Sequence, residues 1–222
     1  MGGFVMAWVK DIVGVDAVKY GTFRSLNGAA DESIFQGRAS KAGFYCFFKV
    51  WRDMPYDAVL DYNSILYRVE VKGSSKGKFD VTRGTRSGRQ IDRTPGTSRT
   101  RILSREDCDF VVGVDSNTGD CYIIPQDIIT IMGLDSVSTN IISAFKEKWG
   151  LFIFSRGNNI LTASQTRDGL MGMSLLEVTD IATSLGITVS PEDIKIGRTK
   201  AIITGSKEKT IYQIWNTIAQ RL

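Results

Sequence analysis

"YDAVLDYNSILYRVEVKGSS", residues 56–75, decides the fold. Its two halves, "AVLDY" and "ILYRVEV", alternate apolar and polar residues and are rich in β-formers. Asn63-Ser64 between them has turn chemistry, so the stretch predicts a β-hairpin. Side chains alternate along a strand. Val69 and Val71 therefore share one face, suited to a core, and Glu70 and Lys72 share the other. An acid and a base side by side away from the core call for water, a partner or a chemical task.

Reading outward, "AADESIFQGRASKAGF" (29–44) predicts a helix with Ala30, Ile34 and Ala42 on its inner side and Gly43 as its stop. "YCFFKVW" (45–51) predicts a strand. The aromatics Phe44, Tyr45, Phe47, Phe48 and Trp51 are expected in the core rather than as a base-stacking platform. "DFVVGVD" (109–115) and "DCYIIP" (120–125) predict two more strands joined by a turn at Ser116-Asn117-Thr118-Gly119. "STNIISAFKEKWGLF" (138–152) reads as a helix capped near Ser138.

The polar run "SRGNNILTASQTRDG" (155–169) marks a boundary between a core of residues 1–155 and a small, mostly helical unit, 156–222. In that unit "SLLEVTDIATSLGI" predicts an amphipathic helix ending at Gly186. "SKEKTIYQIWNTIAQRL" predicts another with Ile211, Ile214, Trp215 and Ile218 on one side. "VTDIATSLGITVSPEDI" has the rhythm of a helix-turn-helix entry. It fits a SAP-like or other small DNA-binding unit, or a packing and dimerisation appendage, equally well.

Composition limits the chemistry. The 222 residues are 42% hydrophobic and 23% charged, which is globular usage, and the net charge is only +4. Affinity for a polyanion must therefore come from where the charge sits. There is no histidine, which excludes His-based triads, His general bases and the usual catalytic zinc sites. Three cysteines, Cys46, Cys108 and Cys121, lack metal-ligand spacing and are odd in number, as in a reduced intracellular protein. "MGGFVM" departs from a myristoylation signal at Met6, and no run approaches a membrane span. A cytoplasmic, nucleoid-associated protein without a membrane partner is expected.

The charge is concentrated after Lys72. Residues 73–105, "GSSKGKFDVTRGTRSGRQIDRTPGTSRTRILSR", are nearly free of large apolar side chains. From Arg83 to Arg105 seven arginines stand against the single acid Asp92. Such a segment suits the phosphates of DNA, and arginine also reads guanine edges. The candidate DNA-binding residues are Lys76, Lys78, Arg83, Arg86, Arg89, Arg93, Arg99, Arg101 and Arg105.

For the acids, the chemistry points to a divalent metal. Mg²⁺ takes hard oxygen ligands and is usually held by one or two carboxylates plus waters and phosphate oxygens. Asp57 at the mouth of one strand and Glu70 on its partner can converge on such an ion, with the Val71 backbone carbonyl as a third ligand. Lys72 can orient an attacking water and stabilise charge growing on phosphorus. Mn²⁺ can substitute.

Asp57 … Glu70-Val71-Lys72 resembles the catalytic motif of the PD-(D/E)XK nuclease superfamily. Pro55-Tyr56-Asp57 supplies a near "P-D" with Tyr56 inserted. Glu32 stands where the resolvase-like and homing branches place a helix glutamate, and "SREDCDFVVGVDSNTGDCYIIP" is similar to the closing strands of that branch. The resemblance covers residues 29–126. It implies an α/β, restriction-endonuclease-like core, a mixed central sheet flanked by helices, with Asp57, Glu70, Lys72 and Glu32 catalytic. It further implies a metal-dependent DNA endonuclease, homing- or restriction-like. A Holliday junction resolvase acting on branched DNA and a non-catalytic DNA-binding module are the alternatives. Cutting both strands calls for two sites, hence a homodimer or higher homo-oligomer.

Overall fold

The computed structural model describes residues 22–49, 54–84, 100–157, 169–196 and 201–222. Its centre is a five-stranded mixed sheet built from β1 (Tyr45–Phe48), β2 (Ala58–Tyr62), β3 (Ile65–Ser74), β7 (Phe110–Asp115) and β8 (Cys121–Pro125), in that spatial order. Neighbours are antiparallel except β3 and β7, which run parallel. A parallel pair needs a crossover. Here the described residues between β3 and β7 form three short strands: β4 (Lys78–Asp80), β5 (Thr82–Gly84) and β6 (Thr100–Ile102). β5 pairs β6, and β4 pairs β9 (Ser136–Ser138).

The β2–β3 hairpin turns at Asn63 and Ser64, both at positive φ (52° and 65°), the geometry whose twist matches the flanking strands. One face of the sheet carries Val69, Val71 and Gly73 of β3 in register with Phe110, Val112 and Val114 of β7. Helix α1 (Thr22–Lys41) covers this face through Asp31, Phe35 and Ala39, spaced four apart and all buried. Ala30 and Ala42, expected on its inner side, are exposed, and Ile34 is only half-buried. The helix rotates to place Phe35 against Trp149, a partner far along the chain. It stops at Gly43 (φ 93°), where Phe44 N–H donates to Ala39 O (3.1 Å) and Gly43 N–H to Ser40 O (3.1 Å), a Schellman closure.

On the opposite face Phe79 of β4 lies against Gly113, where a Cβ would stand 2.6 Å from its ring. β7 is thus covered on both sides, and Phe110 through Val114 are an unbroken buried run. β1 is the sheet's edge, so the aromatics around it divide. Phe44 is buried and Phe48 half-buried, but Tyr45 and Phe47 are 73% and 58% exposed, against the expectation of a core role. Trp51 lies outside the described residues.

Residues 138–152 are not one helix. β9 ends at Ser138, a 3₁₀ turn spans Ser143–Phe145, and α3 (Gly150–Gly157) begins later. The break has a local cause. Glu147 sits at positive φ (56°), its N–H donates to Cys121 O (2.7 Å), and its carboxylate accepts from Cys121 N (2.6 Å). Helical hydrogen bonding is given up for attachment to β8.

α2 (Gln126–Met132) follows β8 directly. Beyond it, α4 (Leu175–Ser184) starts with a capping box between Ser174 and Glu177. β10 (Ile194–Ile196) pairs β11 (Ala201–Ile203), and α5 (Ser206–Arg221) closes the fold. The stripe Ile211, Ile214, Trp215 and Ile218 on α5 is buried and joins the core of the sheet. The Trp215 ring meets Phe110 edge-on at 6.4 Å, and its indole N–H donates to the fully buried Asp127 (3.1 Å). That stripe is therefore occupied within the chain and is not a free dimer face. The three cysteines are unpaired. Among the described residues no helix is long and apolar enough to cross a membrane.

Candidate metal and nuclease site

β2 begins at Ala58, which pairs with Val69. Asp57, one residue earlier, still donates its N–H to Val69 O (2.9 Å), and its own carbonyl accepts from Lys49 N (3.0 Å). Lys49, Asp57 and Glu70 therefore come together at the ends of β1, β2 and β3. Glu70, alternating with Val69 and Val71, lies on the face away from α1. Lys72 follows two residues along β3 on that face.

Past Val69, β3 has outrun β2, and the Val71 N–H needs an acceptor. Asp57 Oδ2 supplies it (2.9 Å), which fixes the carboxylate at the strand's mouth. The other oxygen, Oδ1, pairs with the Lys49 ammonium. Since N–H and C=O of a strand residue lie toward the same neighbour, the Val71 carbonyl also faces the Asp57 side. Lys72 Nζ bonds Glu70 Oε1 at 2.7 Å. Asp57, Glu70, Lys72 and Val71, picked out from sequence, are thus together.

Glu32 on α1 belongs to the same electrostatic neighbourhood. Burial pushes its carboxyl up; Asp57 and Asp31 push the same way, against the pull of Lys49 and Lys72. Glu70 is pushed up by burial above all, and by Asp57, although Lys72 and Lys49 oppose this. In both, burial outweighs the opposing lysines. Hard carboxylate oxygens beside a backbone carbonyl are the donor set of a magnesium-type ion. As the side chains stand, with lysines on Asp57 and Glu70, no three acidic or cysteine groups among the described residues are gathered for a metal. The donors fit such an ion in kind.

Sequence reasoning missed what brings Glu32 there. A Cβ on Gly73 would fall 1.6 Å from Asp31 Oδ2, so only glycine lets α1 approach β3 this closely. Asp31, adjacent to Glu32, is buried, which pushes its carboxyl up; a hydrogen bond with Ser116 opposes this and Asp115 adds to it. Lys49 was missed too; no spacing rule marks it.

The basic segment divides. Lys76 and Lys78 are exposed beside the end of β3. Arg83 and Arg101 both pair with the buried Asp107, and Arg105 reaches Asp109 (3.4 Å) and Asp127 (3.5 Å). Arg86, Arg89, Arg93 and Arg99 lie outside the described residues.

No family model matches the chain, and no curated protein matches its sequence. Among solved structures the chain is similar to a bacterial homing endonuclease, I-Ssp6803I. The TM-score is 0.50 and the identity 21%, over 62% of this chain and 98% of that one. At that identity the likeness is one of fold: the mixed sheet with its flanking helices is an architecture that a homing endonuclease also has.

Proposed function

We propose that this protein is a metal-dependent DNA endonuclease that hydrolyses phosphodiester bonds, homing-like in its use of a defined duplex site. The observation that supports it most is the cluster Lys49, Asp57, Glu70 with Lys72 beside it and Glu32 close by, set in this fold. Fold alone does not carry function; the convergence of those groups does.

In this reading Asp57, Glu70 and the Val71 carbonyl hold Mg²⁺ or Mn²⁺, which supplies a positive centre for the phosphate oxygens. Glu32 orients a water in the outer layer of the site. Lys72, held in place by Glu70, positions the attacking water and offsets the charge that develops on phosphorus. Lys76 and Lys78 meet the DNA backbone, and Arg86, Arg89, Arg93 and Arg99 extend that contact. Two strands are cut by two such sites in a homo-oligomer.

The test is cleavage of a supercoiled plasmid and of a four-way junction, in Mg²⁺ and in EDTA, with Asp57→Asn as the control. Mg²⁺-dependent cutting that Asp57→Asn abolishes supports the proposal. Preference for the junction replaces the homing reading with a resolvase. Tight DNA binding with no cutting of either substrate would leave a binding module.

A further inference from the structure

Asp57 presents its two oxygens to partners of different kinds. Oδ2 is fixed by a backbone N–H that cannot leave. Oδ1 is held by Lys49, a compact charge on a flexible stem that is about a quarter exposed. Asp107, by contrast, is gripped by an arginine fork, Arg101, through two nitrogens at 2.5 and 2.7 Å. A single flexible ammonium holds its oxygen less firmly than such a fork.

We propose that Lys49 is a positioning residue that acts as a built-in counter-cation. It occupies Asp57 Oδ1 in the empty site and yields that oxygen when a divalent ion takes it. The inference rests on Asp57 and Glu70 being metal ligands. It adds that the ion meets a competitor already in place, so the affinity for metal is set partly by Lys49. Competition for one oxygen has two consequences. Removal of Lys49 tightens metal binding, because two positive charges no longer contend for one site. Occupation of the site frees the Lys49 amine, because each cation weakens the hold of the other by the same factor.

Both are measurable on the full chain without DNA. Calorimetric titration with Mg²⁺ alone compares the native protein with Lys49→Met, a variant of similar length without charge. The expected result is binding tighter by about tenfold in the variant. Amine-reactive labelling followed by mass spectrometry needs no variant. Lys49 is expected to label several-fold faster with Mg²⁺, while the exposed Lys76 and Lys78 label equally in both conditions. If Mg²⁺ binds but Lys49 labelling does not change, or Lys49→Met binds no tighter, Lys49 is only a strand fastener and the proposal fails while the metal site stands. If neither protein binds Mg²⁺, the metal reading itself fails and this inference with it.

Discussion

Two clusters of acids and bases flank the sheet, and they treat their carboxylates in opposite ways. Before β7, Asp107 accepts from Arg101 twice, from Ser104 N (2.9 Å), from Ser104 Oγ (3.1 Å) and from Arg83 (3.4 Å). Burial works against its ionisation, yet Arg101 and Ser104 outweigh it and hold the carboxyl below its ordinary value. At the ends of β1–β3, burial pushes Glu70 and Glu32 up and Asp57 adds to it, and the single ammoniums of Lys72 and Lys49 do not outweigh them. The same residue types produce a clamp in one place and burial-raised carboxyls in the other. The difference is the number of donors and their kind: forks and backbone N–H groups against single ammoniums. Carboxylates pushed up by burial and like charge are common at sites of chemistry.

The largest effect belongs to the site. Asp57→Asn, Glu70→Gln or Lys72→Ala is expected to lower Mg²⁺-dependent cleavage by about a hundredfold or more while DNA binding persists. A near-normal rate in any one of them removes that residue from the site. The clamp should respond the other way. Asp107→Ala leaves Ser104 N–H and two arginines without their acceptor and is expected to cost about 3 kcal/mol, read by urea unfolding. The cleavage rate per folded molecule should stay within a few-fold of native. A collapse of activity at unchanged stability would make Asp107 part of the site and erase the contrast.

The hairpin that carries Glu70 was legible because alternation and turn chemistry act locally, and Asn63 and Ser64 take the left-handed backbone that such turns require. Glu32 was legible only through the likeness of its surroundings to a family. The rest depended on contacts distant in sequence. The inner side of α1 is set by Trp149, Gly73 and the sheet, not by the helix's own alanines. Arg83 and Arg101 read as free cations until the fold brings Asp107 between them, and an aspartate in a loop carries no pattern that predicts this. Lys49 became visible only with the strand register.

A smaller effect tests how the cluster obtains Glu32. Gly73→Ala puts a methyl where the Asp31 carboxylate lies, so α1 must shift. Overpacking of this kind costs about 1–3 kcal/mol. Cleavage should fall about tenfold through kcat with DNA affinity retained, since Glu32 moves with the helix. The double variant Gly73→Ala with Asp31→Ala should recover much of both losses. Additive losses instead of recovery would mean that the close approach does not position Glu32.

The smallest effect is in pH, where the two clusters have opposite signs. Asp107 is depressed, so the folded state binds fewer protons there than the unfolded chain. Its contribution to stability is present above the ordinary aspartate value of 3.8 and is lost as pH falls through the lower folded value. Glu70 and Glu32 are raised, so the folded state holds protons that the unfolded chain has released. Stability then declines as pH rises from the ordinary glutamate value of 4.5 through the higher folded values. Urea unfolding of the metal-free protein from about pH 3 to about pH 7 separates the two. Asp107→Asn should flatten only the acid limb. Glu70→Gln and Glu32→Gln should flatten only the decline above it, and Mg²⁺ should offset that decline in the native protein, because a bound cation supplies the charge that the lysines provide in part. A native profile whose upper limb Glu70→Gln and Glu32→Gln leave unchanged would show that the site's carboxylates are already balanced by Lys49 and Lys72, and the contrast with the clamp would be lost.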